Sequence, residues 1–364
     1  MGKYCTYFLI LLLSFACEQE NHSPNAFLNY ESPFYENING NLLLDLDNEI
    51  KSGLFGDIHS LLILRDDNIV FENYYSNYQR SDLHPIGAST QSVVSALVGV
   101  ALAEDSALSI GAKIIDQLPK YSGYFENIPQ KDQIEIRHLM SNSSGLWWDE
   151  WTYPFGSEKN DAYKMSLSED WISAVLSTPM IREPGYEFNY NSGNGILMAP
   201  ILEDLTGMEV EKFAQEKLFN PLEIVDWKWE RISGDFVNSS WGLHLKPIDM
   251  AKIGYLFLKN GVWNEQNLFD DNWSFRSSRR RKDVSNAFSY GYFWWRFTNN
   301  VDVVFTLKQN DVYFSWGDGG QFIFIVPHLN VVVVTTAGNY SNNDIMAINM
   351  LRDYIFPSIL DRLL

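Results

Sequence analysis

The pattern of apolar and polar positions divides the chain into elements. Residues 42–55 carry apolar side chains at roughly helical spacing and run into Gly53 and Gly56, which predicts a first helix. Two apolar runs, Ile58–Leu64 and Ile69–Tyr75, flank Asp66-Asp67-Asn68, a strand–turn–strand signal. Next comes Ile86–Leu102, the stretch the rest is organised around. Past Ser92 it is apolar on nearly every face and interrupted only by the small Ser95 and Gly99. A helix apolar all round is one a domain is built around. Small residues four apart let a neighbour approach its backbone. The polar opening, Ser89-Thr90-Gln91-Ser92, suits a first turn, where free N–H groups stabilise anions and oxyanions. Such a terminus, brought into a cleft, is a good seat for a nucleophile.

From Ser106 to about Arg231 the pattern is mostly helix and loop. Within it, a Pro184-Gly185 turn leads to an extended Phe188-Asn189-Tyr190, and a helix is expected over Ile196–Gly207. Another helix opens at Pro247, with Asp249 in its first turn. Tyr290–Phe297 reads as one aromatic strand. Gln321–Val326 and Val331–Thr336 flank Pro327-His328-Leu329-Asn330, a hairpin deep in a sheet, and Leu351–Leu360 reads as a closing helix. The fold class expected is α/β (α+β): an antiparallel sheet flanked by helices, with a mostly helical subdomain at about 106–231 inserted into one domain over 41–364.

The N-terminus reads differently. Lys3 precedes Tyr7–Leu13, an apolar run too short to span a bilayer but suited to a signal segment. It ends in Ser14-Phe15-Ala16-Cys17, which resembles a bacterial lipoprotein cleavage site, with Ser14 in place of the usual Leu. Residues 1–17 are therefore expected to be a signal peptide, Cys17 the lipidated residue, and 18–40, rich in Asn, Glu, Ser and Pro, a tether. The location expected is the cell envelope, lipid-anchored at a membrane, or secreted if the signal is an ordinary secretory one. With Cys5 removed in the signal, no thiol is left for a disulfide, a metal or cysteine catalysis.

Composition narrows the partners. A length of 364 residues, 46% hydrophobic residues and 12 Trp allow a sizeable core, and a formal charge of −19 argues against nucleic acid. The six His show no paired spacing, so no metal site is expected, and no cofactor is called for.

Several segments, in order, resemble the serine β-lactamase and penicillin-binding protein superfamily, especially its esterase and 6-aminohexanoate-dimer hydrolase-like branch. They are Ile86–Gly99, Ile134–Leu146, Pro184–Asn194, Trp241–Gly254 and Ser315–Gln321. The resemblance implies a β-lactamase/transpeptidase-like fold and acyl-transfer chemistry on a nucleophilic Ser and a Lys three residues on. Laid without gaps, those positions are Ala88 and Gln91. The resemblance places its motif Tyr at Tyr190 and its third residue, often Asn, at Ser192. It also implies a substrate-side strand edge at Gly319, Gly320 and Gln321, and a cleft position for Trp241. Asp318 falls where the branch varies, and its charge would repel substrate carboxylates. His138, in the matched Ile134–Leu146 segment, is expected to be structural. The basic run Arg279–Lys282 reads first as a solvated loop and second as an anion-binding edge.

A methyl at 88 supplies no nucleophile, and a neutral amide at 91 accepts no proton. Three readings follow. The chain is a catalytically inactive member that keeps a cleft for a small molecule or peptide. Or Ser89 or Ser92 has taken over attack with Tyr190 as base, although a one-residue shift turns a side chain about 100° around a helix. Or the domain is an envelope scaffold without a ligand.

Overall fold

The computed structural model describes residues 28–232, 236–270, 272–299, 311–340 and 345–360. The signal segment 1–17, with Cys17, lies outside the described residues. The strands, in chain order, are β1 (Asn29–Tyr30), β2 (Ile58–Arg65), β3 (Asn68–Tyr74), β4 (His84–Pro85), β5 (Lys228–Trp229), β6 (Leu243–Leu245) and β7 (Val262–Trp263). They continue with β8 (Gln266–Asn267), β9 (Lys282–Asp283), β10 (Phe288–Tyr290), β11 (Trp295–Phe297), β12 (Tyr313–Gly317), β13 (Gln321–Val326) and β14 (Val331–Ala337).

Nine of them form one sheet in the order β1-β3-β2-β14-β13-β12-β11-β10-β9. Every pairing is antiparallel except β1 with β3. The central strands are buried along their whole length, which is why β13 and β14 read as continuous apolar runs rather than alternating ones. Two features cover the sheet closely. Helix Pro247–Leu258 lies so near that a Cβ on Gly254 would stand 2.6 Å from Ile323 and 2.7 Å from Val332. Helix α1 (Gly40–Ser52) is tied to β3 and the residue after it, because Asp47 accepts from Asn73 at 2.6 Å and from Tyr75 at 2.9 Å.

The long apolar stretch forms helix α2 (Ser89–Glu104), in which Ser89 through Ala101 are all buried. The four-residue spacing of Ser95 and Gly99 has a definite occupant. Trp273 donates its indole N–H to the Ser95 carbonyl at 2.9 Å, and a Cβ on Gly99 would sit 2.4 Å from the Trp273 ring.

Between α2 and β5 the chain makes a run of short helices, among them Ile136–Met140, Asp161–Ser166, Trp171–Leu176, Ser192–Ile196 and Met198–Thr206. The last stops at Gly207, whose φ of 66° makes a left-handed cap.

Two expectations are corrected. The tether does not extend to residue 40: Asn29–Tyr30 pairs with β3, Ile38 is fully buried, and the Asn39 amide donates to the Ser358 carbonyl at 2.8 Å. Its polar composition hides the few residues that anchor it. Nor is Tyr290–Phe297 one strand. It is the β10–β11 hairpin, turning at 291–294, where Phe293 takes a left-handed backbone (φ 62°). The turn is pinned from outside, since the Phe293 amide donates to Met140 O at 2.8 Å, so its aromatics are buried against several elements.

Candidate active site

The cleft is assembled where the N-terminus of α2 meets the end of β12. Gly317 must be a glycine here, because a Cβ would stand 2.2 Å from the Ile86 carbonyl oxygen. Ala88 is the first residue of the turn into α2 (φ −64°, ψ −6°), partly exposed and without a capping group. The turn is closed by three successive bonds: Ser89 to Ile86, Thr90 to Gly87 and Gln91 to Ala88, at 3.2, 2.9 and 3.1 Å.

Neither serine of the first turn points at Tyr190. Ser89 is fully buried and donates its hydroxyl to the Gln321 carbonyl at 3.0 Å. Ser92 donates to the Phe293 carbonyl at 2.6 Å. The helical rotation that separates them from position 88 has turned both hydroxyls into the core.

Gln91 does reach Tyr190. Its amide nitrogen donates to the Tyr190 hydroxyl at 3.3 Å and to Ser240 Oγ at 2.9 Å, while its carbonyl accepts from the Tyr290 hydroxyl at 3.4 Å. One neutral amide thus ties together three hydroxyls from three distant segments. Burial, and after it the negative charge of Glu150, push the Tyr190 phenol above its ordinary range; the Gln91 bond pulls the other way and does not prevail. A phenol in that state keeps its proton at neutral pH.

Glu150 is a cleft residue the sequence did not suggest. Its Oε2 accepts from Ser192 Oγ at 2.6 Å, from the Ser192 amide at 3.1 Å and from the Trp148 indole N–H. Burial pushes its carboxyl up, and the Ser192 and Trp148 bonds offset this only in part. Ser192 is therefore occupied in holding Glu150.

Aromatic rings form the wall. Trp151 stacks on Tyr190 (5.2 Å between ring centres, 14° between planes), and Trp295 stacks on it at 6.0 Å and 26°. Phe188 and Trp295 each approach Tyr290, at 5.2 and 4.9 Å. Trp151 is 61% exposed and Tyr190 half-buried, whereas Trp295 and Tyr290 behind them are buried.

The glycine-rich segment departs from expectation. Gly319 and Gly320 (φ 84° and 103°) lie in the turn between β12 and β13, not on a strand edge. Their amides are already used, donating to Asp318 Oδ1 at 3.0 Å and Gly317 O at 3.3 Å. Gln321 is fully buried; its amide bonds Ala337 O at 2.7 Å, Ala337 N at 3.0 Å and Asp318 O at 3.1 Å, a clamp between two strand ends. Asp318 is exposed beside them. Trp241 is half-buried against Trp171 at 5.5 Å, and its neighbour Ser240 is the residue that reaches Gln91.

The remaining motif residues have structural partners. His138 Nδ1 accepts from the Glu135 amide at 3.1 Å in a helix-opening box. Asp249 is buried in a first turn and paired with Lys252 at 2.8 Å. In the basic run Arg280 pairs with Asp283 at 2.5 Å, Arg281 lies over the Tyr292 ring at 4.4 Å, and Lys282 donates to the Gly185 carbonyl. Among the described residues no group of three or more His, Cys, Asp or Glu could hold a metal ion.

Glu150, Trp151, Ser240, Tyr290 and Trp295 were missed. The only sequence signal was the dense Trp147–Trp151 run just after the Ile134–Leu146 segment, and periodicity says nothing about where such a loop folds.

The sequence model of the Beta-lactamase family matches residues 59–352, most of the chain. The chain belongs to the beta-lactamase family. Among solved structures, a 6-aminohexanoate-dimer hydrolase homologue from Bacillus anthracis superposes with a TM-score of 0.70 at 19% identity, covering 86% of this chain and 82% of that one. EstCE1, a hydrolase with promiscuous acyltransferase activity, gives 0.70 at 13% identity over 89% of this chain and 100% of its own. At such identities the likeness is one of fold. A curated relative, the acyltransferase mokF of Monascus pilosus, is 29% identical over 98 residues, 27% of this chain and 23% of the relative. The chain aligns with less than half the length of the first curated relatives it matches.

Proposed function

We propose that this beta-lactamase-family protein has given up acyl transfer and uses the retained cleft to bind a small molecule or peptide, as a lipid-anchored protein of the bacterial cell envelope. The observation that carries the first half is the polar network at the head of α2. Position 88 is a methyl, both neighbouring serine hydroxyls are spent on backbone carbonyls, and Gln91 holds Tyr190 with an amide that cannot take a proton. Acyl transfer needs an oxygen nucleophile and a base in reach, and loss of a serine nucleophile costs on the order of a million-fold in kcat. The binding half is supported by the aromatic rings beside that network, of which Trp151 is 61% exposed.

The test is restoration. Ala88→Ser with Gln91→Lys puts a hydroxyl at the head of the helix and an ammonium beside Tyr190. The double variant is expected to hydrolyse simple aryl esters above the parent's rate. A folded double variant with no gain would mean that more of the acyl-transfer machinery is missing than these two groups.

The anchoring half rests on the sequence, Lys3, the apolar run and Cys17. Expression in a bacterial host with a clickable palmitate analogue should label the wild type and not Cys17→Ser. Equal labelling of both would refute it. No helix among the described residues is long and apolar enough to cross a membrane.

A second reading, an envelope scaffold without a ligand, is favoured by one observation: the stacking of Trp151 and Trp295 on Tyr190. Under it, no ligand perturbs those rings.

A further inference from the structure

The basic run Arg279–Lys282, which joins the helix Trp273–Ser278 to β9, is not a loose solvated loop. Its backbone is pinned. The Arg279 amide donates to Phe275 O at 3.1 Å, the Arg281 amide to Tyr290 O at 2.8 Å, and the Tyr292 amide to Ser277 O at 2.6 Å. Rings then order its side chains. The Arg281 guanidinium lies 4.4 Å over the centre of the Tyr292 ring, which is nearly parallel to Trp273 (19° between planes), and Arg276 lies 5.4 Å over Trp273. Arg281 also donates to the Arg276 carbonyl at 2.8 Å. Stacking of this kind fixes the plane of a guanidinium and the direction of its N–H fork.

The charges at this place do not balance. Burial works against the charge of Arg281, Tyr292 favours it, and the three further groups acting on it, Arg279, Arg276 and Arg137, are all cationic. Two of those have partners, Asp270 at 3.7 Å from Arg276 and Glu135 at 2.5 Å from Arg137, and Arg280 pairs with Asp283 at 2.5 Å. Among the described residues, Arg279 and Arg281 have no carboxylate within 4 Å, and the Arg281 Nε is buried without a hydrogen-bond partner. Half-burying a guanidinium among like charges costs free energy that the protein's own groups do not return. A doubly charged oxyanion would supply the missing countercharge, and guanidinium forks bind phosphate oxygens in pairs.

We propose that Arg279 and Arg281, backed by Arg276, form a binding site for a phosphate group carried by a soluble small molecule. The site shares no side chain with the Gln91–Tyr190 network and does not depend on the reading of that cleft. A phosphate held by such forks at a surface keeps its outer oxygens in water, so no enclosed cavity is needed. A soluble source fits the topology better than the anchoring bilayer. β9 is the strand at one edge of the sheet, whereas β1, which follows the proposed lipid anchor, is at the opposite edge.

The experiment titrates the purified protein with inorganic phosphate at about pH 8 and constant ionic strength, read by calorimetry and by the rise in melting temperature, with acetate as the singly charged control. Saturable phosphate binding is expected, with acetate weaker by roughly ten-fold or more. Arg279→Gln changes an exposed side chain that bonds nothing within the protein and should weaken phosphate about two- to five-fold. Arg281→Lys keeps the charge, loses the planar fork and should weaken phosphate roughly ten-fold or more. Arg280→Gln, whose partner is Asp283, should leave phosphate affinity within about two-fold. No saturable binding of phosphate would overturn the proposal, as would acetate binding as tightly as phosphate. Equal phosphate affinity in the parent, Arg279→Gln and Arg281→Lys would also overturn it, and so would the same loss in Arg280→Gln as in those two. Sedimentation with vesicles of phosphatidylcholine and phosphatidic acid, without binding of inorganic phosphate, would overturn it in favour of a membrane surface.

Discussion

Gly99→Ala tests how α2 is seated, and everything at the head of that helix depends on the seating. Trp273 is fully buried, and its ring lies 2.4 Å from where the new methyl would stand. That distance requires the indole or the helix to move. Overpacking of this kind costs about 1–3 kcal/mol. Shifting the ring also weakens the Trp273–Ser95 hydrogen bond of 2.9 Å, about 1 kcal/mol more. Against this, alanine is about 1 kcal/mol better than glycine inside a helix. The net expectation is a loss of about 1–3 kcal/mol. With about 2.1 cal/mol/K of unfolding entropy per residue over 364 residues, that is a melting decrease of about 1–4 °C. Ser95→Ala is the companion, since the buried Ser95 hydroxyl has no hydrogen-bond partner among the described residues and its removal should cost under about 1 kcal/mol. Urea unfolding followed by tryptophan emission measures both. A Gly99→Ala variant as stable as its parent, or more so, would refute the packing argument.

Two further outcomes are expected. Gln321→Ala removes three bonds between strand ends, leaves buried backbone groups unpaired and should cost about 2–4 kcal/mol in urea unfolding; a loss below about 1 kcal/mol would return Gln321 to the pool of ligand-binding candidates. His84 is pushed down to about 4 by burial, against an ordinary 6.5, with the nearby charge of His59 adding to the effect. Between those values the unfolded chain holds the proton and the folded chain does not, so stability is full above about pH 6.5 and falls as pH drops towards 4, by about 3 kcal/mol at most. His84→Gln should flatten that part of the pH–stability curve, and an unchanged curve would assign the acid loss to other groups.

The sequence made the elements with strong periodicity legible. The all-apolar α2, the β13–β14 hairpin and the helix from Pro247 stand where their patterns put them, because burial on every face leaves a mark in composition. The ends of long-range contacts left no such mark. Gln321 reads as a cleft residue until its amide is seen on Ala337, and Ser192 until its hydroxyl is seen on Glu150. Tyr290–Phe297 reads as a strand because aromatic runs favour strands, but contacts to Met140 and Ser92 fold it into a turn. Glu150 and Trp151 sit in a loop with no period, and only tertiary structure could bring them to Tyr190.

The central claim is that no hydroxyl stands where acyl transfer would need one. Exposing the purified mature domain to a fluorophosphonate probe, then measuring intact mass and mapping peptides, tests it most directly. An unmodified parent protein is expected, and a single adduct on Ala88→Ser/Gln91→Lys, at position 88. A stoichiometric adduct on Ser89 or Ser92 of the parent would contradict it.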